Sequence, residues 1–266
     1  MARLNAADAK RRIESAHGPD FLEALARGLS VITAFGAGRR SLSLSEIAGI
    51  VGLPRATARR SLHTLERLGY AESDGKLYRL TPRVLALATA YLDSNPISTL
   101  LQPVCERLSA ATRGTSSVAV LDGQEVVFIA HASPSRLSLL GSGLGYRLPA
   151  FCTALGRVLL AALDDAALHR FLAQLAAKPL TGQTVTDGAR LQRLIERARK
   201  DGYAIVDNEA EPGFRSIAVP LRKHDGRVVA ALNIGMPVES GSIKEARERL
   251  LPRLQACAAD LAAQLI

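Results

Sequence analysis

The strongest constraint on this chain lies in residues 41–80, SLSLSEIAGIVGLPRATARRSLHTLERLGYAESDGKLYRL. Ser43 and Glu46 form an S-x-x-E capping box, in which the hydroxyl caps an orphan amide and the carboxylate reaches back. The helix this box opens is predicted to run to about Val51 and to stop at Gly52. Pro54 suits the first turn of a second helix, on which Ala58, Leu62, Leu65 and Leu68 share one face before Gly69 ends it. Residues 70–72 and 77–80 then read as short strands, with Asp74-Gly75 as a hairpin turn between them. Upstream, Phe21, Leu22, Leu25, Leu29, Ile32 and Phe35 repeat at helical spacing over residues 21–35, stopped by the glycines Gly36 and Gly38. Helix, helix, turn, helix, hairpin is the order of a winged helix-turn-helix.

Charge follows the same stretch. Between residues 39 and 83, nine basic residues against four acidic ones leave +5 of the chain's net +9. A basic segment suits a polyanion, although charge runs are usually just solvated faces. The order and tight spacing of the motifs decide for double-stranded operator DNA. The second helix of the pair would enter the major groove and needs base-reaching side chains near its start. Arg55, Thr57, Arg59, Arg60 and His63 are the candidates there. Arginine can take guanine bidentately, and threonine can meet a thymine methyl. Ser43 and Ser45 can offer hydroxyls and amides to phosphate, and Lys76 stands at the tip of the wing.

A length of 266 residues is a prior for two domains. Residues 1–19 read as a flexible arm, residues 20–81 as the winged domain, residues 82–98 as a linker helix broken at Ser94-Asn95-Pro96, and residues 99–266 as a second domain. Within the linker, residues 83–92 are predicted helical. The second domain opens with an amphipathic helix over residues 100–112, then strands at 116–121 and 125–132. A Gly/Ser-rich stretch at 141–145 follows, then a helix from near Cys152 and another over 189–201. Strands are expected at 203–207, 216–222 and 228–234, and a last helix is expected to be kinked or started by Pro252. This is an α+β chain whose second half carries a mainly antiparallel sheet.

The stretches LARGLSVITAF, LSLSEIAGIVGLPRATARRSLHTLERLGY, DGKLYRLTPRVLALATAYL, LPAFCTALGRVLLA, DGYAIVDNEAEPGFRSIAVPL and DGRVVAALNIGMP strongly resemble the IclR family of bacterial transcription regulators over about residues 20–266. Ala58-Arg59-Arg60 and PRVLALATAYLDS look like the branch that regulates the β-ketoadipate pathway and responds to p-hydroxybenzoate, protocatechuate or β-ketoadipate-type acids. The resemblance implies a GAF-like effector domain and a homodimer or tetramer joined through the N-terminal half and the linker helix. It places effector contacts on Thr153, Ala154, Leu155, Val206, Ser216, Asn233 and Gly235. Val206 stands where the glyoxylate-responding member has a carboxylate, and Ser216 where cysteine is frequent, so a larger or aromatic acid fits better than glyoxylate. Phe151 is a candidate wall of the same pocket, and Arg136, Arg147 and Arg215 are candidate partners for a ligand carboxylate. A regulator of another carbon-catabolic operon, with a different small acid, is the alternative.

Other classes find little support. Cys105, Cys152 and Cys257 are too scattered for a disulfide framework or zinc spacing, which fits a reducing cytoplasm. His17, His63, His131, His169 and His224 show no metal-ligand pattern. There is no nucleophile elbow or Walker loop, and Gly141, Gly143 and Gly145 do not make a dinucleotide fingerprint. No catalytic residue, cofactor or metal is expected. The longest aliphatic run, residues 158–163, is far short of the ~20 residues of a membrane span.

Overall fold

The computed structural model of the chain describes residues 18, 20–36, 38–94, 96–134 and 143–264. Two compact units divide between Ser94 and Asn95.

The first unit contains α1 (Glu23–Thr33), β1 (Leu42–Ser43), α2 (Leu44–Ile50), α3 (Arg55–Arg67), β2 (Ala71–Ser73) and β3 (Leu77–Leu80). The capping box opens α2 as its sequence predicts: the Ser43 amide donates to Glu46 Oε2 at 2.7 Å, and the Glu46 amide donates to Ser43 Oγ at 3.3 Å. Ile47, Ala58 and Leu62 interlock α2 and α3, with Val31 of α1 buried beside Ile47 and Leu62. β2 and β3 pair antiparallel to form the wing, and β1 adds a third strand on the other side of β3. Asp74 Oδ1 ties the wing turn by accepting from the amides of Lys76 and Leu77. The strand β1 has no periodic signal; it pairs only because Leu42 meets Tyr78 across the fold. The helix expected over residues 83–92 starts later. Thr81 caps a 3-10 turn at Pro82–Val84, and α4 runs from Leu85 to Ser94.

The second unit is a three-layer sandwich. Its sheet, in the order β6-β5-β4-β9-β8-β7, is antiparallel throughout the described strands. The strands are β4 (Thr115–Asp122), β5 (Glu125–Ala132), β6 (Arg147–Pro149), β7 (Ala204–Asp207), β8 (Phe214–Arg222) and β9 (Val228–Pro237). One face packs α5 (Pro96–Thr112) and α9 (Ile243–Ala262) onto Val118, Ile217, Val219 and Leu232. The other packs α6 (Ala154–Ala161), α7 (Asp165–Gln174) and α8 (Gly188–Asp201) onto Ala119, Phe128, Val206 and Ala218. The strand period of two sends alternate residues into these separate cores.

Two elements have no sequence signal and one expectation changes. β6 is too short to show a period, and α7 follows α6 so closely that the two run together in the sequence. Pro252 does not start the last helix. A capping box at Ser242 and Glu245 starts α9 nine residues before it would otherwise begin, at Ile243, and the proline sits inside.

Two glycines mark close approaches, one to backbone and one to side chains. A Cβ on Gly156, in the first turn of α6, would lie 2.0 Å from the Ala150 carbonyl oxygen. A Cβ on Gly235 of β9 would lie 2.3 Å from the Phe214 ring and 2.6 Å from Thr115 Oγ1. Beside them, Arg157 and Glu209 form a buried ion pair at 2.6 Å. Arg157 Nε also donates to the Phe151 carbonyl, and Glu209 accepts from the Val185 amide, so both charges are further hydrogen-bonded. This pair fastens α6 to the segment between β7 and β8.

Candidate nucleic-acid interface and effector cavity

In α3, Ala58, Leu62 and Leu65 are buried and fall within a helical arc of about 60° at 100° per residue. Arg55, Arg59, Arg60 and His63 are exposed on the remaining surface, and Thr57 is half-buried. No hydrogen bond or ion pair among the described residues engages the guanidinium groups of Arg55, Arg59 or Arg60. These cations are therefore available to an external anion. Ser45 is exposed at the start of α2, and Lys76 is exposed at the wing tip. Ser43 differs: its hydroxyl donates to Glu46 Oε2 at 2.7 Å, so the cap already occupies it. Arg79 is braced within the wing by Ser41 and Asp74.

The second unit holds a cavity between its sheet, the start of α6, β6 and the segment after β7. Its volume is about 60 Å³, several times what a single water needs. Six of the expected contacts line it: Thr153, Ala154 and Leu155 from α6 and its cap, and Val206, Ser216 and Asn233 from β7, β8 and β9. Of the others that are described, none lines it. Phe151 is buried in the core beneath α6, and Gly235 lies behind Phe214 and Thr115, which do line the cavity. Arg147 faces away, paired with Glu125 at 2.6 Å and Asp122 at 2.7 Å. Arg215 is buried against Asp207 at 2.7 Å and the Gly241 carbonyl. Arg136 lies outside the described residues. No lysine or arginine among the described residues lines the cavity.

The amides of α6 supply positive potential instead. Thr153 caps the helix, its hydroxyl accepting from the Gly156 amide at 3.0 Å. The N–H groups of Ala154 and Leu155, first in the helix, have no intrahelical acceptor. A helix start with free amides and no acidic residue in its first turn favours a carboxylate.

The floor is a hydrogen-bonded polar row across four strands, β8, β9, β4 and β5. Asn233 Nδ2 donates to Ser216 Oγ at 2.9 Å, and Asn233 Oδ1 accepts from the Ser117 amide at 2.8 Å. Ser117 Oγ shares a hydrogen bond of 2.9 Å with His131 Nδ1. Phe128, Tyr146, Leu148 and Phe214 supply the apolar wall, with Phe128 and Tyr146 edge to face at 5.7 Å between ring centres. Burial pushes the Cys152 thiol up to about 12, with the Glu209 carboxylate adding to the shift, so this cavity residue stays a neutral thiol. Burial also lowers the His131 imidazole from its ordinary value, and burial beside Glu211 raises the Tyr146 phenol.

Sequence reasoning missed His131, Ser117, Tyr146, Phe128 and Glu211 as lining residues. One signal was present: Thr115, Ser116 and Ser117 form a polar run at the start of a strand whose next four residues are apolar.

A winged helix-turn-helix joined to a domain with an enclosed cavity defines a ligand-responsive transcription regulator. Residues 24–75 match the IclR helix-turn-helix domain, and residues 89–263 match the C-terminal domain of bacterial IclR transcriptional regulators. The chain belongs to the IclR family. It is 42% identical over 267 residues to the Pca regulon regulatory protein of Pseudomonas putida, covering 100% of this chain and 92% of that protein. It is 34% identical over 247 residues to the p-hydroxybenzoate hydroxylase transcriptional activator of Acinetobacter baylyi, covering 91% of each. Among solved structures, it superimposes with a TM-score of 0.78 and 27% identity on an IclR homolog from Microbacterium hydrocarbonoxydans in complex with 4-hydroxybenzoate, covering 91% of this chain and 98% of that one.

Proposed function

We propose that this regulator controls genes of aromatic-acid catabolism and that its cavity holds a small aromatic carboxylic acid. The observation that carries the reading is the cavity's make-up: aromatic and aliphatic walls, a polar floor, and the free amides of Ala154 and Leu155. An aromatic ring suits the walls and a carboxylate suits the amides, which is the usual division of labour in a small-molecule site. The relatives named for Pca regulation and p-hydroxybenzoate hydroxylase activation support the same class of effector.

Arg55, Thr57, Arg59, Arg60 and His63 meet operator bases or phosphates, with Ser45 and Lys76 at the flanking backbone. The regulator works as a homodimer in the cytoplasm. Leu22 and Leu25 of the α1 region are 62% and 61% exposed, and Leu85 of α4 is 66% exposed, which leaves apolar faces for a second copy to cover. Paired half-sites also solve the weakness of a single winged helix. No helix among the described residues is long and apolar enough to cross a membrane.

Calorimetry on the full chain with 4-hydroxybenzoate, protocatechuate and β-ketoadipate tests the effector class. Saturable binding of an aromatic acid is the expected result. Binding of β-ketoadipate alone would keep the regulator in that branch but overturn the aromatic effector, and binding of none at millimolar concentration would end the reading.

A further inference from the structure

His131 occupies the end of β5 with its ring on the cavity. Three neighbours fix it there. Its Nδ1 is held by Ser117 Oγ at 2.9 Å, and its ring stacks on Phe128 at 6.1 Å between centres. Its backbone is clamped from α5, where Gln102 Oε1 accepts from the His131 amide at 3.1 Å and Gln102 Nε2 donates to the His131 carbonyl at 3.0 Å. Yet Nε2, on the other side of the ring, is buried without any hydrogen-bond partner, the one such side-chain atom among the described residues. A buried polar atom that lacks a partner is normally matched by something that binds there. Elsewhere in the cavity the polar floor is already satisfied, since Asn233 uses both ends of its amide on Ser117 and Ser216.

We propose that His131 Nε2 reads a ring hydroxyl on the effector and so separates hydroxylated aromatic acids from their unsubstituted parents. The inference rests on the reading of the cavity as an aromatic-acid site. A hydroxyl suits the position because it can donate or accept, whichever tautomer Ser117 selects. The carboxylate belongs at the other kind of donor, the amides of α6. Desolvation supports this division by keeping the imidazole neutral, and a neutral nitrogen discriminates a neutral group. Rejection of a ligand that lacks the hydroxyl follows from leaving Nε2 unpaired.

The test titrates the full chain by calorimetry with benzoate, 3-hydroxybenzoate and 4-hydroxybenzoate. The better hydroxybenzoate should bind the unmodified chain about tenfold more tightly than benzoate. His131→Leu should erase that advantage, so that the hydroxybenzoate binds no more tightly than benzoate. His131→Gln, whose amide falls close to the Nε2 position, should restore most of it. If the leucine variant does not fold, the imidazole 15N resonance of the unmodified chain decides: the Nε2 signal should move several-fold further with the hydroxybenzoate than with benzoate. An advantage that survives His131→Leu, or an Nε2 signal indifferent to the hydroxyl, overturns the role of His131 while the aromatic-acid reading stands. If none of the three acids binds the unmodified chain, the role of His131 falls, and if protocatechuate does not bind either, the aromatic-acid reading falls with it.

Discussion

The two units place their working groups in opposite environments. In the helix-turn-helix unit, the side chains offered to DNA stand in water with no internal partners, and the core beneath them is small. In the second unit, the site is enclosed, and most polar atoms around it are already hydrogen-bonded. A polyanion can be met by exposed cations, because its charge density supplies the affinity. A small aromatic acid, with a single charge, cannot be met that way alone. It must be recognised by desolvated groups, each of which costs free energy when unmatched.

This contrast predicts that substitutions of the buried charges and close-packed glycines of the second unit act on folding, and those of the exposed cations of the first act on DNA binding. The largest effect should come from Arg157→Met. It strands the Glu209 carboxylate in the interior, 7% exposed, and should destabilise the second unit by about 3–5 kcal/mol. Chemical denaturation followed by a probe in that unit checks it; a loss below about 1 kcal/mol would mean the pair is not truly buried. Next, Gly156→Ala should cost about 1–3 kcal/mol, because its methyl meets the Ala150 carbonyl and overpacks the start of α6. Gly49→Ala, in α2, meets nothing within 4 Å and should instead stabilise the first unit by about 0.5–1 kcal/mol. Opposite signs from the same chemical change would sharpen the comparison.

Arg59→Ala should leave melting unchanged and weaken DNA binding by roughly 1–3 kcal/mol. If it reads a base, specificity relaxes at one position; if it meets a phosphate, the salt dependence flattens. Gel shifts at several salt concentrations distinguish the two, and unchanged affinity would remove Arg59 from the interface.

The smallest effect is on pH. Glu46 is held below its ordinary carboxylate range by the Ser43 amide first and the Ser43 hydroxyl second, and Asp74 by the amides of Leu77 and Lys76. A folded value below the unfolded one means the contribution is complete above the ordinary carboxylate range and is lost as pH falls through the depressed value. Acid melts should therefore show the first unit losing stability in that window, and Glu46→Gln should blunt the slope. An unaltered slope would show that the cap does not couple to folding.

The same contrast explains what could be read from the sequence. The helix-turn-helix was legible because every signal in it is local: Ser43 with Glu46, Gly52 before Pro54, Asp74 with Gly75. The Asn233 environment is not local. Ser117 and Asn233 are far apart in sequence and meet only through the β4–β9 register. The cavity contacts at Thr153, Ala154, Leu155, Val206, Ser216 and Asn233 came from family resemblance, and no spacing in the chain would have gathered them. The arginines Arg147 and Arg215 looked free because their partners, Asp122 and Glu125 for one and Asp207 and Gly241 for the other, join them through strand pairing and loop packing. His131 was unremarkable as one of five scattered histidines and gains meaning only from the unpaired atom on its far side.

The central claim is that ligand in the second unit changes how the first unit holds DNA. That requires the ligand to bind the DNA-bound and DNA-free forms unequally, and the coupling must be the same in both directions. Calorimetric titration of the full chain with 4-hydroxybenzoate, once alone and once saturated with a DNA fragment that the chain itself selects from random sequence, measures this directly. The account predicts affinities that differ by about 5- to 150-fold, the usual range of such coupling. Identical affinities in the two titrations would contradict it.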